Sequence, residues 1–143
     1  MARRAAPVRA ALAGLVWLYR RSGGRIHGRL FGLEVLLLTH RGRRSGREMT
    51  TPLAFGRDGD AYVLIASNGG SDENPAWYLN LKANPDAEVE IGPRRLRVRA
   101  EELPPGPEKE RLYRQLGEVY NGYYGYRRRT RREIPVLRLR PVE

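Results

Sequence analysis

Three stretches of this 143-residue chain carry residues whose types and spacing suit chemistry. The first is Gly42-Arg43-Arg44-Ser45-Gly46, set between an apolar run, Leu33 to Thr39, and a second extended segment, Thr50 to Phe55. Glycines let a backbone turn sharply and bring its N–H groups close to a ligand. Arginine forks fit the oxygens of phosphate or carboxylate. The same five residues also suit a solvated hairpin loop, and the pentapeptide alone leaves both readings open. The second stretch is Tyr120-Asn121-Gly122-Tyr123-Tyr124-Gly125-Tyr126, which holds four of the chain's eight tyrosines. Phenols give a ring ligand flat walls and hydroxyls that can donate a proton; they serve equally as half-buried packing at a helix end. The third, Ser67-Asn68-Gly69-Gly70, offers a hydroxyl and backbone donors to a polar ring edge.

Composition narrows the chemistry further. The absence of cysteine removes disulfides, thiolate metal sites and cysteine nucleophiles. His27 and His40 are the only histidines, which gives a metal site poor support, and none is expected. The dinucleotide fingerprint, the P-loop and the serine-hydrolase elbow are absent from the sequence. Lysine plus arginine number 27 against 16 acids, a net charge of +11, and Lys82 and Lys109 are the only lysines. Such a surface attracts nucleic acid, anionic lipid or a polyanionic small molecule. Only residues 120–132 interleave aromatic and basic side chains as a stacking platform would, so nucleic acid is not expected as a partner.

These stretches need elements to hold them. The length fits one domain with a core of its own. Residues 1–30 read as an N-terminal basic helix and linker, and residues 31–143 as the domain proper. The apolar run Ala10 to Tyr19 would span about 15 Å as a helix, half a bilayer core, and cannot cross it. Its basic ends, with Trp17 and Tyr19, suit peripheral contact with an anionic membrane; a helix packed on its own domain is the other reading. Strands are expected at Leu33–Thr39, Thr50–Phe55 and Ala61–Ala66, with Asp58-Gly59 turning between the last two. Asn74-Pro75 reads as an N-cap and first residue of a helix that runs to Ala83 and stops at Asn84-Pro85. A hairpin follows, in which Glu88 and Glu90 face the Arg95–Arg99 set. A helix from near Glu108 to Tyr120 would face the core with Leu112, Leu116 and Val119, and Ile134–Leu139 is the last strand. The sum is mainly β with α: a small barrel of about six antiparallel strands with helices packed outside.

The order of the motifs is more specific than any one of them. Leu38-Thr39-His40-Arg41-Gly42-Arg43-Arg44-Ser45-Gly46, Thr51-Pro52-Leu53, Ala66-Ser67-Asn68-Gly69-Gly70, Asn74-Pro75-Ala76-Trp77-Tyr78-Leu79-Asn80-Leu81 and Thr130-x-Arg132-x-Ile134-Pro135-Val136 form one series. Over about residues 33–141 it closely resembles the deazaflavin-dependent nitroreductases, the type A flavin/deazaflavin oxidoreductases. The resemblance implies a split β-barrel, related to the FMN-binding barrels, that binds coenzyme F420, a deazaflavin with a phosphate and a polyglutamate tail. It places Arg43, Arg44 and Ser45 at the phosphate, and Ala66, Ser67, Asn68 and Gly69 along the deazaflavin. Ala76 and Trp77 would contact it from the inserted helix. Tyr120, Tyr123 and Tyr126 would stand over the substrate pocket, with Ser67 and Tyr123 as proton donors or orienting groups. The implied reaction passes a hydride from reduced deazaflavin to a quinone-like or nitroaromatic acceptor, in a cytoplasmic enzyme with peripheral contact to the inner face of the cell membrane. FMN as cofactor, or a non-catalytic lipid- or fatty-acid-binding barrel, are the alternatives. Two positions depart from the family pattern: Asn68 stands where members often carry lysine, and Met49 where they often carry arginine. Arg47 and His40 are the nearby residues that would replace the lost charge. Oligomeric state is left open by the sequence.

Overall fold

The computed structural model describes residues 6–142, and the side chains from Ala10 onward. The basic start of the chain at Arg3 and Arg4 lies outside the described residues. Helix α1 (Ala6–Arg21) is followed by strands β1 (Arg29–Leu30), β2 (Leu33–Arg41), β3 (Glu48–Asp58) and β4 (Ala61–Ile65). A short 3-10 turn (Asn68–Gly70) leads to α2 (Ala76–Ala83). Then come β5 (Asp86–Ile91), β6 (Arg94–Glu102), α3 (Pro107–Val119), α4 (Gly122–Arg129) and β7 (Val136–Pro141).

All strand pairs are antiparallel, in the order β1-β2-β3-β4-β7-β6-β5. A further ladder from β2 to β5, Leu37 opposite Glu90 through Thr39 opposite Glu88, closes six of them into a barrel and leaves β1 as an appended strand. The six-stranded antiparallel barrel is expected from the residues, and its split-barrel form from the resemblance. β3 and β4 pair only over Gly56–Asp58 and Ala61–Val63, beyond which they are no longer joined.

The nearly unbroken apolar run of β2 now has its reason. Leu36 and Leu38 point into the barrel core, whereas Leu33, Val35 and Leu37 lie under the helices, so both faces are covered. Leu36, Leu37 and Leu38 have no exposed surface, and such burial stabilises by about 1.5–3 kcal/mol per side chain. A second core lies outside the barrel, where α3 and α4 cover Val63, Ile65 and Val136. α2 behaves differently from the other helices. Its Trp77, Tyr78 and Leu81 belong to the barrel-interior cluster, so this helix plugs the barrel.

Two expectations need correction. The buried face of α3 is Lys109, Leu112, Tyr113 and Leu116, and Val119 is 53 % exposed. Spacing at i, i+3, i+4 and i+7 favours Tyr113 over Val119, because the helix ends at Val119 and Tyr120 has already left helical geometry. In α2, Pro75 is the N-cap and the helix starts at Ala76; the Asn74 side chain makes no cap and accepts instead from Arg132.

The acidic and basic faces of the β5–β6 hairpin pair as expected, Glu88 and Glu90 both with Arg95 at 3.4 and 3.6 Å, and Asp86 adds a pair with Arg99 at 2.8 Å. Glu90 is also held by Arg20 of α1 at 2.8 Å. Beside it the buried Tyr19 hydroxyl donates to the Val35 carbonyl at 2.9 Å and accepts from Gly92 N–H. The C-terminal half of α1 therefore packs on its own domain.

Candidate functional site

The arginine loop is a closed turn. Gly42 N–H donates to the Arg47 carbonyl and Gly46 N–H to the Gly42 carbonyl, at 2.8 and 2.9 Å. Ser45 Oγ accepts from the Arg47 N–H, and Gly46 takes a left-handed φ of 70° that favours glycine. Arg43 and Arg44 are exposed, and Arg44 makes no side-chain hydrogen bond with the described residues. The loop is fastened at Arg43, whose N–H and Nη1 both donate to Asn80 Oδ1 on α2 at 3.1 Å.

Asn80 is buried, as is His40 beneath it. Arg43 only donates, so the atom it meets must be the Asn80 oxygen, and the Asn80 amide nitrogen must face His40. That nitrogen lies 3.0 Å from His40 Nδ1, which therefore accepts, and Nε2 carries the proton toward Thr51 Oγ1 at 2.9 Å. Burial pushes the His40 imidazole down to about 4, so it is neutral near pH 7. His40 cannot replace the cation missing at Asn68 and Met49; Arg47, exposed in the loop, still can.

The Ser67 loop is built from the other side. Ser67 is buried where β4 ends, and the next three residues all have left-handed φ, Asn68 48°, Gly69 65° and Gly70 85°. At Gly70 a Cβ would stand 3.1 Å from the Tyr126 backbone, so glycine brings this loop against α4. Arg132, just past α4, fixes it with hydrogen bonds to four acceptors: the carbonyls of Ala66, Ser67 and Ser71, and Asn74 Oδ1. Thr130 Oγ1 and Arg131 N–H hold Asp72, and they keep its carboxyl below the usual range. The basic run Arg127–Arg132 is thus largely scaffolding. Arg127 lies 3.7 Å over the Tyr113 ring and pairs with Glu110 at 3.0 Å.

The tyrosines form one aromatic cluster. Tyr123 contacts Tyr120 and Tyr126 edge-to-face at 5.3 and 6.0 Å, and the Tyr120 and Tyr126 hydroxyls are bonded at 2.7 Å. Tyr123 is only 6 % exposed and shares the second core with Leu112 and Leu116. Its backbone carbonyl accepts from the Tyr113 hydroxyl. Its own hydroxyl has no partner among the described residues. No described buried side-chain polar atom is left unsatisfied, so this oxygen must reach the accessible surface. Burial and the neighbouring tyrosines push its pKa above the ordinary phenol value, which keeps it protonated at neutral pH.

These pieces adjoin along the chain and in space. Gly70 touches Tyr126, the Ser67 loop runs into α2, and Ala76 and Asn80 lie one turn apart on one α2 face. The first N–H groups of α2 have no side-chain cap, and its first turn has no acid, so this helix end favours an anion. Ala76 is exposed beside it, whereas the Trp77 ring points into the barrel core and offers this face only backbone. Asn80 and Arg132 were not singled out from the sequence as site residues, and His40 only as a replacement cation, although a lone polar Asn80 in Trp77-Tyr78-Leu79-Asn80-Leu81 was a signal. Phe31 was also missed; it stacks on Tyr120 at 4.2 Å from the β1–β2 turn. The donor set suits a ligand with an anionic tail and a flat polar ring: two exposed arginines and an uncapped helix end, then a serine and tyrosines.

Comparison with known proteins gives this geometry relatives. A family model described as F420H(2)-dependent quinone reductase matches residues 13–141. An F420H(2)-dependent quinone reductase of Mycobacterium tuberculosis is 44% identical over 123 residues, covering 84% of this chain and 83% of the relative. The solved structure of an F420-H2 dependent reductase, FDR-A, superposes with a TM-score of 0.67 at 36% identity, over 73% of this chain and 92% of that one. A second solved structure, described as a domain-swapped dimer, gives 0.71 at 30% identity over 94% and 99% of the two chains.

Proposed function

This chain belongs to the F420H(2)-dependent quinone reductase family, and from that premise we propose that it binds coenzyme F420 along α2 and reduces a quinone beside the tyrosine cluster. Nitroaromatics are adventitious acceptors in this reading. One observation carries it: the uncapped start of α2 and the Arg43 anchor at Asn80 put helix-end donors and arginine loop beside one another. The relatives compared above that are named for a cofactor are named for F420, which gives neither FMN nor a non-catalytic lipid-binding role support.

When bound, the coenzyme supplies a hydride from C5 of its reduced deazaflavin ring, the step the protein itself has no group to perform. Arg43, Arg44 and Ser45 bind the phosphate and tail, and the N–H groups of Ala76 and Trp77 add the field of the helix end. Ala66, Ser67, Asn68 and Gly69 line the ring. Because Arg132 already occupies the carbonyls of Ala66 and Ser67, these stay fixed and the Ser67 hydroxyl is left as the polar group of that wall. Tyr120, Tyr123 and Tyr126 hold the quinone, and a phenol gives a hydrogen bond, then a proton, to the oxygen that gains charge. Fluorescence titration of F420, then absorbance of the reduced coenzyme with menadione, tests the whole reading. Binding of FMN or fatty acid in place of F420, with no turnover, would overturn it.

Arg43→Ala and Arg44→Ala are each expected to weaken F420 binding, by about 1.5–3 kcal/mol for a lost charge-assisted hydrogen bond. Both are exposed, so melting temperatures should stay near that of the parent. Calorimetric titration decides this, and unchanged affinity in both variants would move the phosphate elsewhere.

The membrane surface is part of the same proposal. No described helix is long and apolar enough to cross a bilayer. α1 turns Val16 and Tyr19 to the domain and leaves Trp17 61 % exposed, on the side where an interfacial tryptophan would enter lipid. Trp17→Ala is expected to lower co-sedimentation with anionic vesicles at unchanged thermal stability. Equal sedimentation of both proteins would remove α1 as an anchor.

A further inference from the structure

The two polar side chains beneath the arginine loop have no part in the reaction as described, yet both are almost sealed from solvent. Asn80 is 1% and His40 4% exposed. We propose that Asn80 and His40 are positioning residues that hold Arg43 in the geometry needed for the anionic part of the cofactor; this rests on the F420 reading above.

The loop's own backbone bonds shape the turn but leave the Arg43 side chain to solvent. Its position comes from Asn80 Oδ1, which takes both the Arg43 N–H and Nη1 at 3.1 Å. Tying one guanidinium nitrogen down leaves Nη2 and Nε without a protein partner among the described residues, pre-aimed for an oxyanion. Asn80 can do this only in one amide orientation. A flipped amide would set NH2 against the Arg43 donors and face its carbonyl toward His40 Nδ1. With Nδ1 unprotonated His40 opposes the flip, so Arg43, Asn80 and His40 agree on one arrangement, which leaves the Nε2 proton toward Thr51 Oγ1, a hydroxyl able to donate or accept. Arg43, Asn80 on α2, His40 on β2 and Thr51 on β3 therefore form one chain of hydrogen bonds with a single consistent donor–acceptor assignment. A fully satisfied buried network of this kind fixes one arrangement out of several.

The test is a set of variants read by F420 titration and by 15N NMR of the coenzyme-free protein. His40→Leu removes the acceptor at similar volume and is expected to weaken F420 binding about tenfold, with kcat at saturation little changed. His40→Asn restores an acceptor near the place of Nδ1 and is expected to stay within about threefold of the parent, a rescue that packing alone does not give. Combining His40→Leu with Arg43→Ala should add less than about twofold to the loss from Arg43→Ala, since both act through one contact. Asn80→Ser withdraws the acceptor from reach, is expected to match Arg43→Ala, and serves where His40→Leu does not fold. The NMR spectrum should show His40 neutral with its proton on Nε2. The proposal falls if His40→Leu and His40→Asn weaken binding alike, if the effects of His40→Leu and Arg43→Ala add in full, or if the proton is on Nδ1. Should Arg43→Ala bind F420 normally, the phosphate placement fails and takes the proposal with it. Should Arg43→Ala bind weakly while the His40 and Asn80 variants bind normally, the placement stands and the positioning role alone is lost.

Discussion

Arg132→Ala is expected to melt about 6–12 °C below the parent protein, the shift for a loss of roughly 3 kcal/mol in a domain of this size. It should also lose F420 affinity by more than about tenfold, because the wall of the ring site collapses with the clamp. The reason is the number and placement of the acceptors. The Arg132 guanidinium serves three backbone carbonyls and the Asn74 side chain at 2.8–3.2 Å. Ala66 and Ser67 are buried, so their carbonyls lose an enclosed partner when the fork is removed. Arg132→Lys keeps the charge but not the planar fork, and a single ammonium cannot span these acceptors; a partial recovery in both measures is expected. Thermal denaturation and coenzyme titration are read side by side. If the alanine variant melts and binds like the parent, the Thr130–Asp72 contact alone holds the loop and the clamp is redundant.

Tyr123→Phe should reduce kcat/KM for menadione about tenfold to a hundredfold, or roughly 1.4–2.8 kcal/mol of transition-state stabilisation. Cofactor affinity and melting temperature should hardly change. The ring is locked by edge-to-face contacts with Tyr113, Tyr120 and Tyr126, and phenylalanine keeps all of them. The hydroxyl makes no hydrogen bond among the described residues that the substitution could break. A phenol whose ring is fixed and whose oxygen is uncommitted is well placed to bond an oxygen that gains charge only as the reaction proceeds. Tyr120 and Tyr126 spend one bond on each other, so a single phenylalanine at either is expected to cost less. Wild-type turnover in Tyr123→Phe, with a loss in Tyr126→Phe, would transfer the proton-donor role to the hydroxyl pair.

The hairpin β2–β3 with its glycine-bracketed turn, the Asp58-Gly59 turn and the β5–β6 charge pairing all follow from local rules, and each stands in the structure. Turn chemistry and strand alternation act over a few residues, so one sequence displays them. The motif series identified the family for the same reason: its members are contiguous short runs. The role of Asn74 was misread because it depends on a partner far away in the chain, and that of Val119 because it depends on where α3 stops and how α4 folds back. Asn74 gives up capping α2 because Arg132, 58 residues on, claims its oxygen. Val119 is bared because α3 stops and the chain turns into α4, which brings Tyr123 into the core under the same helix.

The sequence by itself determined the barrel, the basic loop and the presence of a tyrosine cluster, since hydrophobic period, glycine placement and residue type are properties of neighbours. Only the tertiary structure decided which arginines are free to bind and which are already used. Arg127 and Arg132 look like Arg43 and Arg44 in composition, yet the first pair is consumed by Glu110, Tyr113 and the Ser67 loop. It also decided that His40 is a neutral wedge and not a cation, because the desolvation that lowers its basicity is imposed by α2 folding over β2.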